Sequence, residues 1–452
     1  MSHIREHWSS RLGFVMAAAG SAIGVGSLWL FPFVVGNSGG GAFVLLYLLF
    51  TFVIGLPVFI AELIIGRKTQ TSALLAYSDL SKSNRWKCIG WLNVISCLII
   101  LSFYSVVAGW GVSYVLMSLT QFTYGRTPEE ISNVFDILYT SADINLLWLF
   151  IFLLINVGIV YAGVRKGIER WSKILMPILL ILLVGLLIYS FTLEGLPQAL
   201  RFVLYPDFSK ITPNVVLSAL GLAFFTLSVA LGIILTYGSY MKTDEDIPRT
   251  ATLVAVMTVS VSMLSALMIF PIVFTFGYEP SSGPGLVFKV MPVLFSQLPG
   301  TLVLSTLFFT LFVFTGLTSS ISLMEMLVSN IIEHFKITRK KAVLLVAAGA
   351  FVLGIPSALA GSKTLFGRWQ EVYGIDFFET MGFITSNWFM PVAGLLTILF
   401  VGWVLDQNMV KKEFCLGTRW KLWYRPWIFT VRFLAPVVVA LIILQEAGVL
   451  RV

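Results

Sequence analysis

Residues 17–27 of the chain read Ala17-Ala18-Ala19-Gly20-Ser21-Ala22-Ile23-Gly24-Val25-Gly26-Ser27. These small and flexible residues lie in the middle of the first long apolar segment. The sixth apolar segment carries a comparable stretch at similar depth, Phe224-Phe225-Thr226-Leu227-Ser228-Val229-Ala230-Leu231-Gly232. Interrupted helices at matching positions of two oppositely directed halves are typical of inverted repeats around a binding site. We therefore predict that the first and sixth helices are discontinuous, although the two halves share no clear residue-level repeat.

The composition indicates a membrane protein. Of the 452 residues, 58% are hydrophobic and 12% are charged, whereas a soluble domain carries about 25% charged residues. A spanning helix needs about 20 mostly apolar residues, and such runs recur along the whole chain. The sequence predicts an all-α, polytopic membrane protein with about eleven transmembrane helices. We expect them near residues 11–36, 41–67, 88–122, 146–163, 168–191, 214–241, 249–277, 300–334, 340–360, 377–405 and 427–447.

The loops between the predicted helices alternate in charge. The basic loops carry Arg67, Lys68, Lys82, Arg85, Lys87, Arg165, Lys166, Arg170, Lys173, Lys242, Arg249, Lys336, Arg339, Lys340, Lys341, Lys411, Lys412, Arg419, Lys421 and Arg425. The loop with Glu129 and Glu130 is one of the acidic or balanced loops between them. By the positive-inside rule, the N-terminus is cytoplasmic and the C-terminus, after eleven spans, is outside. Dispersion of the basic residues over these loops argues against a nucleic-acid surface, despite the net charge of +8.

The chain reads as one membrane domain over residues 1–452, since no polar linker separates two soluble parts. The first repeat is expected over 11–191, the second over 214–405, and an additional helix over 427–447. The three cysteines form no exported-disulfide pattern, and the three histidines are too scattered for a metal site. The apolar spans show no nucleophile–base pair, so we expect no enzyme.

Breaking the first helix would expose groups that suit a small zwitterion. A half-helix that starts near Gly24 directs free N–H groups and a positive dipole end at a cavity, which suits a carboxylate. Carbonyl groups released at Gly20, Ala22 and Ile23 suit a hard cation or an ammonium group. The alternative is close helix packing, because Gly20 and Gly24 form a small-xxx-small pair.

Four other polar residues in the apolar spans have two interpretations each. The hydroxyl groups of Thr318 and Ser319 complete an oxygen cage or make ordinary interhelical hydrogen bonds. Glu62, in the second span, is a functional hypothesis by default as an intramembrane acid, or it is an acid near the membrane interface. The hydroxyl group of Tyr104 caps a ligand carboxylate or packs as a membrane tyrosine.

These residues belong to a longer set of motifs that resembles the neurotransmitter:sodium symporter family in the right order over nearly the whole chain. The motifs are Arg5-Glu6-His7-Trp8, Arg11-Leu12-Gly13-Phe14, Gly24-Val25-Gly26, Phe31-Pro32-Phe33, Gly36-Asn37, Gly39-Gly40-Gly41-Ala42-Phe43, Glu62, Gly66-Arg67, Lys166-Gly167-Ile168-Glu169, Phe224-Phe225-Thr226-Leu227-Ser228, Gly283-Pro284-Gly285-Leu286 and Gly316-Leu317-Thr318-Ser319-Ser320. The single helix after the tenth resembles bacterial members that lack a twelfth, which implies a bacterial inner membrane and its lipid bilayer.

The resemblance implies the leucine-transporter fold, with two inverted five-helix repeats and a site at helices one, three, six and eight. The implied substrate residues are Ala22, Gly24, Val25, Gly26, Ile100, Tyr104, Phe225, Thr226, Ser228, Leu231 and Leu323. The implied second sodium site uses the carbonyls of Gly20, Ile23 and Thr315 and the hydroxyls of Thr318 and Ser319. Glu62 would be a supporting acid. An aspartate replaces Gly24 in monoamine members, so the glycine favours an amino acid over an amine.

The chain departs from the family pattern at the implied first sodium site. Asparagine or aspartate is common where this chain has Ser27 and Thr258, so the site is reduced to Ala22, Ser27, Thr226 and Thr258 or is lost. One Na⁺ is therefore expected, and a second is doubtful. Leu222 replaces a polar family position and argues against chloride, although Ser262 leaves chloride open.

The residues of the outer gate differ from the family pattern, whereas those of the inner gate match it. The usual arginine is Leu30, and its acidic partner is replaced near Gly382, with Glu379 a turn away. The loss of both charges together is physically reasonable, because a single buried charge without its partner would be costly. The outer gate would then consist of Tyr104 and Phe225. The inner gate is expected to pair Arg5 with Glu333, with Trp8 and Tyr240 nearby.

The predicted function is Na⁺-coupled symport of a neutral, small or aliphatic amino acid by alternating access. Proton-coupled or uncoupled transport by the same fold is one alternative, and a non-transporting amino-acid sensor is another. The sequence leaves the particular amino acid, the ion stoichiometry and the oligomeric state open.

Overall fold

A computed structural model describes residues 6–278, 284–362 and 364–449. Within these ranges the protein is helical, and the β-structure consists of one isolated bridge between Gly40 and Pro206. Residues 11–204 form the helices α1 Arg11–Ala22, α2 Phe31–Asn37, α3 Gly41–Phe50, α4 Leu56–Thr69, α5 Ala73–Ser81, α6 Lys87–Leu119, α7 Pro128–Thr140, α8 Ala142–Val160, α9 Arg170–Ser190 and α10 Leu196–Leu204. Residues 213–446 form α11 Pro213–Thr226, α12 Ile233–Gly238, α13 Ile247–Thr275, α14 Val290–Ser296, α15 Thr301–Phe335, α16 Arg339–Ala358, α17 Trp369–Tyr373, α18 Phe377–Phe383, α19 Met390–Leu399, α20 Gln407–Cys415, α21 Tyr424–Phe429 and α22 Ala435–Glu446.

Short π-helical segments join several of these helices into longer, irregular ones. They are Gly26–Leu30, Thr51–Gly55, Val164–Glu169, Ile384–Phe389, Phe400–Val404 and Thr430–Leu434. Such bulges are frequent at functional sites, because they free backbone groups that a regular helix would use internally. Short 3₁₀ turns occur at Asn84–Trp86, Phe208–Lys210, Pro284–Leu286 and Lys421–Trp423.

The predicted spans agree with the helices of the described residues. Nine helices are long and apolar enough to cross a membrane, and the bent pair Arg11–Ala22 and Gly26–Asn37 makes ten. The sixth predicted span consists of α11 and α12, each too short to cross alone. Counting this broken span gives about eleven, as the sequence predicts.

The first helix is broken where the small residues predict it. Its two halves meet at an angle of 51°. The first half ends at Ile23, whose φ and ψ of −85° and 73° are not helical. The second half begins at Gly26.

The break in the sixth span is longer and lies at residues 227–232, between α11 and α12. Ser228, Ala230 and Gly232 have φ angles of 53°, 65° and 68°. This left-handed conformation is unfavourable for the two residues with a Cβ, so the surrounding packing has to enforce it.

Packing brings the two breaks to the centre of the molecule. The helix α1 contacts α9, α13 and α15, while α12 packs on α4 and α15 packs along α6. Most residues around the breaks are fully buried. The backbone groups that the breaks release can therefore be satisfied by other helices or by a bound molecule, as irregular backbone at membrane depth requires.

Candidate functional site: a central cavity between the broken helices

A small cavity of about 30 Å³, counted as the space open to the centre of a water molecule, lies between the two breaks. It is lined by Ser21, Ala22, Gly24, Gly26, Ile100, Tyr104, Phe225, Thr226, Ser228, Leu231, Ile233, Ser319 and Leu323. All predicted substrate residues except Val25 are in this lining. Ser21, Ile233 and Ser319 are added to the predicted set. Ser21 lies in the last turn of α1, directly before the first break, and Ile233 directly follows the second, so position alone could have indicated both.

The polar end of the cavity lies at the first break. The backbone N–H of Val25 donates to the hydroxyl oxygen of Tyr104 at 3.1 Å. Tyr104 is 6% exposed and comes from the middle of α6. Val25 therefore contributes a backbone group rather than a cavity wall, and Tyr104 stands at the start of the second half-helix, where a carboxylate would be stabilised.

Space at Gly24 is too small for a side chain. A Cβ atom there would contact Oγ of Ser319 and lie 3.2 Å from the hydroxyl oxygen of Tyr104. Glycine is therefore required for the close approach of the first break to α6 and α15. The same crowding excludes an aspartate, which agrees with the predicted absence of an amine-binding carboxylate.

The oxygens of the predicted second sodium site form two neighbouring groups, one around the hydroxyl group of Thr318 and one around that of Ser319. The hydroxyl group of Thr318 lies 3.5 Å from the carbonyl oxygen of Ile23 and 3.1 Å from that of Thr315. The hydroxyl group of Ser319 lies 3.4 Å from the carbonyl oxygen of Gly20. It also donates to the carbonyl of Ser21 at 2.8 Å, a further oxygen that the sequence did not indicate. Hydroxyl and carbonyl oxygens of this kind are the ligands that a hard cation prefers.

The predicted first sodium site is less developed. The hydroxyl groups of Thr226 and Thr258 donate to carbonyls of their own helices, at Leu222 and Val254, both at 2.9 Å. The hydroxyl oxygen of Ser27 is buried without a hydrogen-bond partner in the described part of the chain. Among the described residues, Ala22, Ser27, Thr226 and Thr258 make no hydrogen bonds with one another.

The position that resembles a chloride site holds a hydroxyl network. The hydroxyl group of Tyr47 lies 3.0 Å from that of Thr226 and 3.4 Å from that of Ser262. Leu222 is 4% exposed beside it. All of these groups are neutral in this arrangement. Independence from chloride stays a prediction from the sequence.

Glu62 holds the second break. Its side chain is fully buried, and its two carboxylate oxygens accept the backbone N–H groups of Ala230 at 2.5 Å and Leu235 at 3.3 Å. Complete burial and the use of both oxygens are those of an acid that supports the break rather than of one that extends to the membrane surface. The hydroxyl group of Ser228 connects the two breaks by donating to the carbonyl of Ser21 at 2.9 Å.

A vestibule of about 680 Å³, counted as the space open to the centre of a water molecule, lies on the predicted outer side of the cavity. Gly26, Tyr104 and Phe225 line both spaces, so they form the partition between them. A Cβ on Gly26 would lie 2.8 Å from the ring of Phe225. The replaced gate positions Leu30 and Gly382 both line the vestibule, which agrees with an outer gate of Tyr104 and Phe225.

The opposite side of the molecule is closed by the segment before α1. Trp8 is fully buried, and its ring packs edge-on against those of Phe14, Tyr237 and Tyr240. Its indole N–H donates to the carbonyl of Tyr237 at 3.0 Å. Glu333 accepts the backbone N–H of Ser72 at 2.6 Å. The predicted partner of Glu333, Arg5, lies outside the described residues.

Two ion pairs near this closed side were not predicted. Glu325, inside the long helix α15, accepts from Tyr240 at 2.7 Å and pairs with Arg339. Its position inside a spanning helix was a signal for function that sequence reasoning missed. The other ion pair joins Arg67 to Glu413 at 3.0 Å and ties α4 to α20. Close to it, burial and the nearby Asp244 carboxylate raise the pKa of Glu245.

Two broken helices that meet at a buried cavity define the class of secondary membrane carriers with the leucine-transporter fold. The sequence profile of the sodium:neurotransmitter symporter family matches residues 5–133 and 138–451. The chain therefore belongs to that family, whose members are membrane transporters rather than enzymes.

Individual relatives cover almost the whole chain. An uncharacterized sodium-dependent transporter of Bacillus subtilis (strain 168), YhdH, is 37% identical over 446 residues, which are 98% of each chain. A sodium-dependent transporter of Methanocaldococcus jannaschii is 31% identical over 98% of this chain and 91% of its own length. The crystal structure of MhsT in complex with L-phenylalanine superposes with a TM-score of 0.91 and 38% identity, covering 98% of this chain and 99% of that one.

Proposed function

We propose that the protein is a symporter that couples one Na⁺ to the uptake of one neutral amino acid with a small or aliphatic side chain. The observation that carries the proposal is the junction of the cavity with the oxygen cluster at the first break. Ser319 belongs to both, since it lines the cavity and approaches the carbonyl of Gly20. A cation at the cluster would thus tie α15 to the first break and shape the substrate cavity at once.

The chemistry of the lining supports a neutral amino acid. Ile100, Leu231 and Leu323 supply apolar walls, and Tyr104 with the N–H groups of the first break supplies a carboxylate end. No lysine, arginine, aspartate or glutamate is among the residues that line the cavity. A charged side chain on the substrate would be buried there without a partner, which is costly.

Alternating access follows from the two sides of the cavity. The vestibule opens one side while Trp8 and its aromatic neighbours close the other. Binding of Na⁺ would favour this arrangement if its affinity is higher here than in the opposite one. We further propose that the protein lies in a bacterial plasma membrane, with the Trp8 side in the cytoplasm and without a requirement for chloride.

Uptake into proteoliposomes tests the proposal. Labelled neutral amino acids are supplied with an inward Na⁺ gradient, with K⁺ in its place, or with a proton gradient alone. We expect accumulation with Na⁺ only. Changing Thr318 and Ser319 to alanine together should raise the Na⁺ concentration for half-maximal uptake by at least about tenfold, which is about 1.4 kcal/mol of binding free energy.

Ser320→Ala is the matched control, because this neighbouring hydroxyl donates to Oδ1 of Asn156 at 2.7 Å instead of facing the cluster. Its Na⁺ dependence should equal that of the unmodified protein. Equal uptake with K⁺ would refute sodium coupling. Binding without accumulation under any gradient would favour a sensor.

Proton-coupled or uncoupled transport by the same fold is the second candidate, and the poorly developed first sodium site favours it. The buried hydroxyl of Ser27 has no partner among the described residues, and Thr258 donates to its own helix. The proton-gradient arm of the uptake experiment separates this candidate from the first.

A further inference from the structure

One arginine inside a predicted membrane span has no counterion among the residues that the structure describes. Arg432 belongs to the apolar helix Lys421–Glu446 and is the sixth residue of the span predicted at 427–447. It lies about 8 Å along the helix axis from the start of that predicted span, at a rise of 1.5 Å per residue. Its side chain is half-buried. A cation at this depth is costly unless it is paired or reaches the membrane interface.

The immediate contacts of Arg432 fix its position without neutralising its charge. Its Nε donates to the carbonyl of Gly402 at 2.7 Å, and the indole N–H of Trp403 donates to the carbonyl of Arg432 at 3.1 Å. The guanidinium carbon lies 5.6 Å from the centre of the Trp403 ring. These bonds join the π-helical segments Phe400–Val404 and Thr430–Leu434.

The remaining donors of the guanidinium group are available. Within the described ranges, the two Nη atoms have no hydrogen-bond acceptor, and no carboxylate lies within 4.0 Å of them. Five N–H groups in a planar fork match the geometry of a phosphate or carboxylate. The site is therefore built to accept an oxyanion.

The surface around Arg432 is apolar and exposed. Trp403, Phe429 and Phe433 are 58%, 59% and 47% exposed, and the ring of Phe433 lies 5.5 Å from each of the other two. An oxyanion that reaches Arg432 over this surface has to be compatible with apolar surroundings. A soluble ion such as inorganic phosphate is not.

Two further cations lie toward the nearer membrane interface. Side chains of a helix point toward its N-terminus, so Arg432 extends toward Arg425 and Lys421. Arg425 and Lys421 precede Arg432 by seven and eleven positions, so both lie nearer to the start of the helix. Arg425 and Lys421 are exposed. We call the six residues Lys421, Arg425, Arg432, Trp403, Phe429 and Phe433 the Arg432 patch.

We propose that the Arg432 patch binds the phosphate group of an anionic phospholipid from the leaflet on the Lys421 side. The guanidinium group of Arg432 donates to the phosphate oxygens, and Arg425 and Lys421 add electrostatic attraction to the headgroup. The acyl chains lie against the three aromatic rings. Basic sites between transmembrane helices bind anionic lipid headgroups by this combination of charge and apolar contact. The site is independent of the transported substrate.

The test compares lipid retention by the purified, full-length protein. The protein is incubated with phosphatidylglycerol or with zwitterionic phosphatidylcholine of the same chains, and bound lipids are counted by native mass spectrometry. We expect phosphatidylglycerol to bind about tenfold more tightly than phosphatidylcholine. Arg432→Gln should remove this preference, and Arg425→Gln should reduce it about twofold to threefold.

Lys341→Gln is the matched control, since it removes one exposed positive charge at the start of α16 and should leave the preference intact. Inorganic phosphate at millimolar concentration should not compete. If Arg432→Gln fails to fold, the exposed pair Lys421→Gln with Arg425→Gln still has to weaken binding. Equal retention of both lipids by the unmodified protein would overturn the proposal. So would an Arg432→Gln variant that changes the oligomeric state and leaves lipid binding unchanged.

Discussion

The two broken helices satisfy their released backbone groups in different ways. At the first break, neutral hydroxyl groups of Tyr104, Thr318 and Ser319 approach the free N–H and carbonyl groups. At the second break, the buried carboxylate of Glu62 accepts two backbone N–H groups. Neutral hydroxyl groups exchange partners at small cost, whereas a buried charge that loses its partners is expensive. The first break is therefore suited to binding and releasing ligands, and the second to keeping its shape.

The largest effect is expected from Glu62→Gln. Glutamine has one acceptor oxygen, so one of the two N–H groups would face an amide donor and lose its hydrogen bond. We expect the free energy of unfolding to fall by about 2–4 kcal/mol, because charged hydrogen bonds and buried unsatisfied donors are each worth 1–3 kcal/mol. The midpoint of unfolding in detergent measures the loss.

Glu379→Gln is the control for Glu62→Gln, because Glu379 lines the open vestibule and is exposed. It should change stability by less than about 0.5 kcal/mol. A comparable loss in both variants would mean that Glu62 does not hold the second break.

Gly24→Ala should act on the first break by removing substrate affinity. Its Cβ would contact Ser319 and lie 3.2 Å from the hydroxyl oxygen of Tyr104. We expect binding of a neutral amino acid to weaken by at least about tenfold, measured by equilibrium binding in detergent. Gly221→Ala is the control, because nothing lies within 4 Å of a Cβ there, although the residue lines the vestibule. Unchanged binding by Gly24→Ala would remove the steric argument.

A smaller effect distinguishes the backbones of the two breaks. Ala19 and Ala230 are both fully buried, but Ala19 lies in the helix α1 and Ala230 has a φ of 65°. Glycine relieves the left-handed strain at Ala230 and has no such benefit at Ala19. Ala230→Gly should therefore be less destabilising than Ala19→Gly, by about 1–2 kcal/mol. Equal losses in the same unfolding assay would contradict the strain at Ala230.

The smallest effect is expected at Ser27. Its buried hydroxyl has no partner in the described part of the chain, so removing it breaks no protein hydrogen bond. With a single Na⁺ at the second site, Ser27→Ala should shift the half-maximal Na⁺ concentration by less than about twofold, which is under about 0.4 kcal/mol. A shift as large as that of the Thr318 and Ser319 variant would show that a second ion uses Ser27.

Much of the fold follows from local properties of the sequence. Apolar runs of spanning length predict the helices, and the run from Ala17 to Ser27 predicts the first break. Both signals are local, because helix formation in a membrane depends on the apolarity of each segment and interruption depends on small residues within it. The predicted substrate residues came from matching motifs, and all except Val25 line one cavity.

Tertiary structure decided what the isolated positions left open. From sequence alone, a packing motif and a ligand site at Gly24 are equally possible. The approach of Tyr104 and Ser319 from two other helices determines the crowding at Gly24. The sequence likewise did not separate an interfacial from a buried Glu62, because burial depends on the position of the second break, 168 residues away along the chain. The pairing of Glu325 with Arg339 and the contact of Arg432 with Gly402 also join separate helices. The physical reason is common to these cases: apolarity and helix breaking are properties of a segment, whereas burial and hydrogen-bond partners depend on which helices become neighbours.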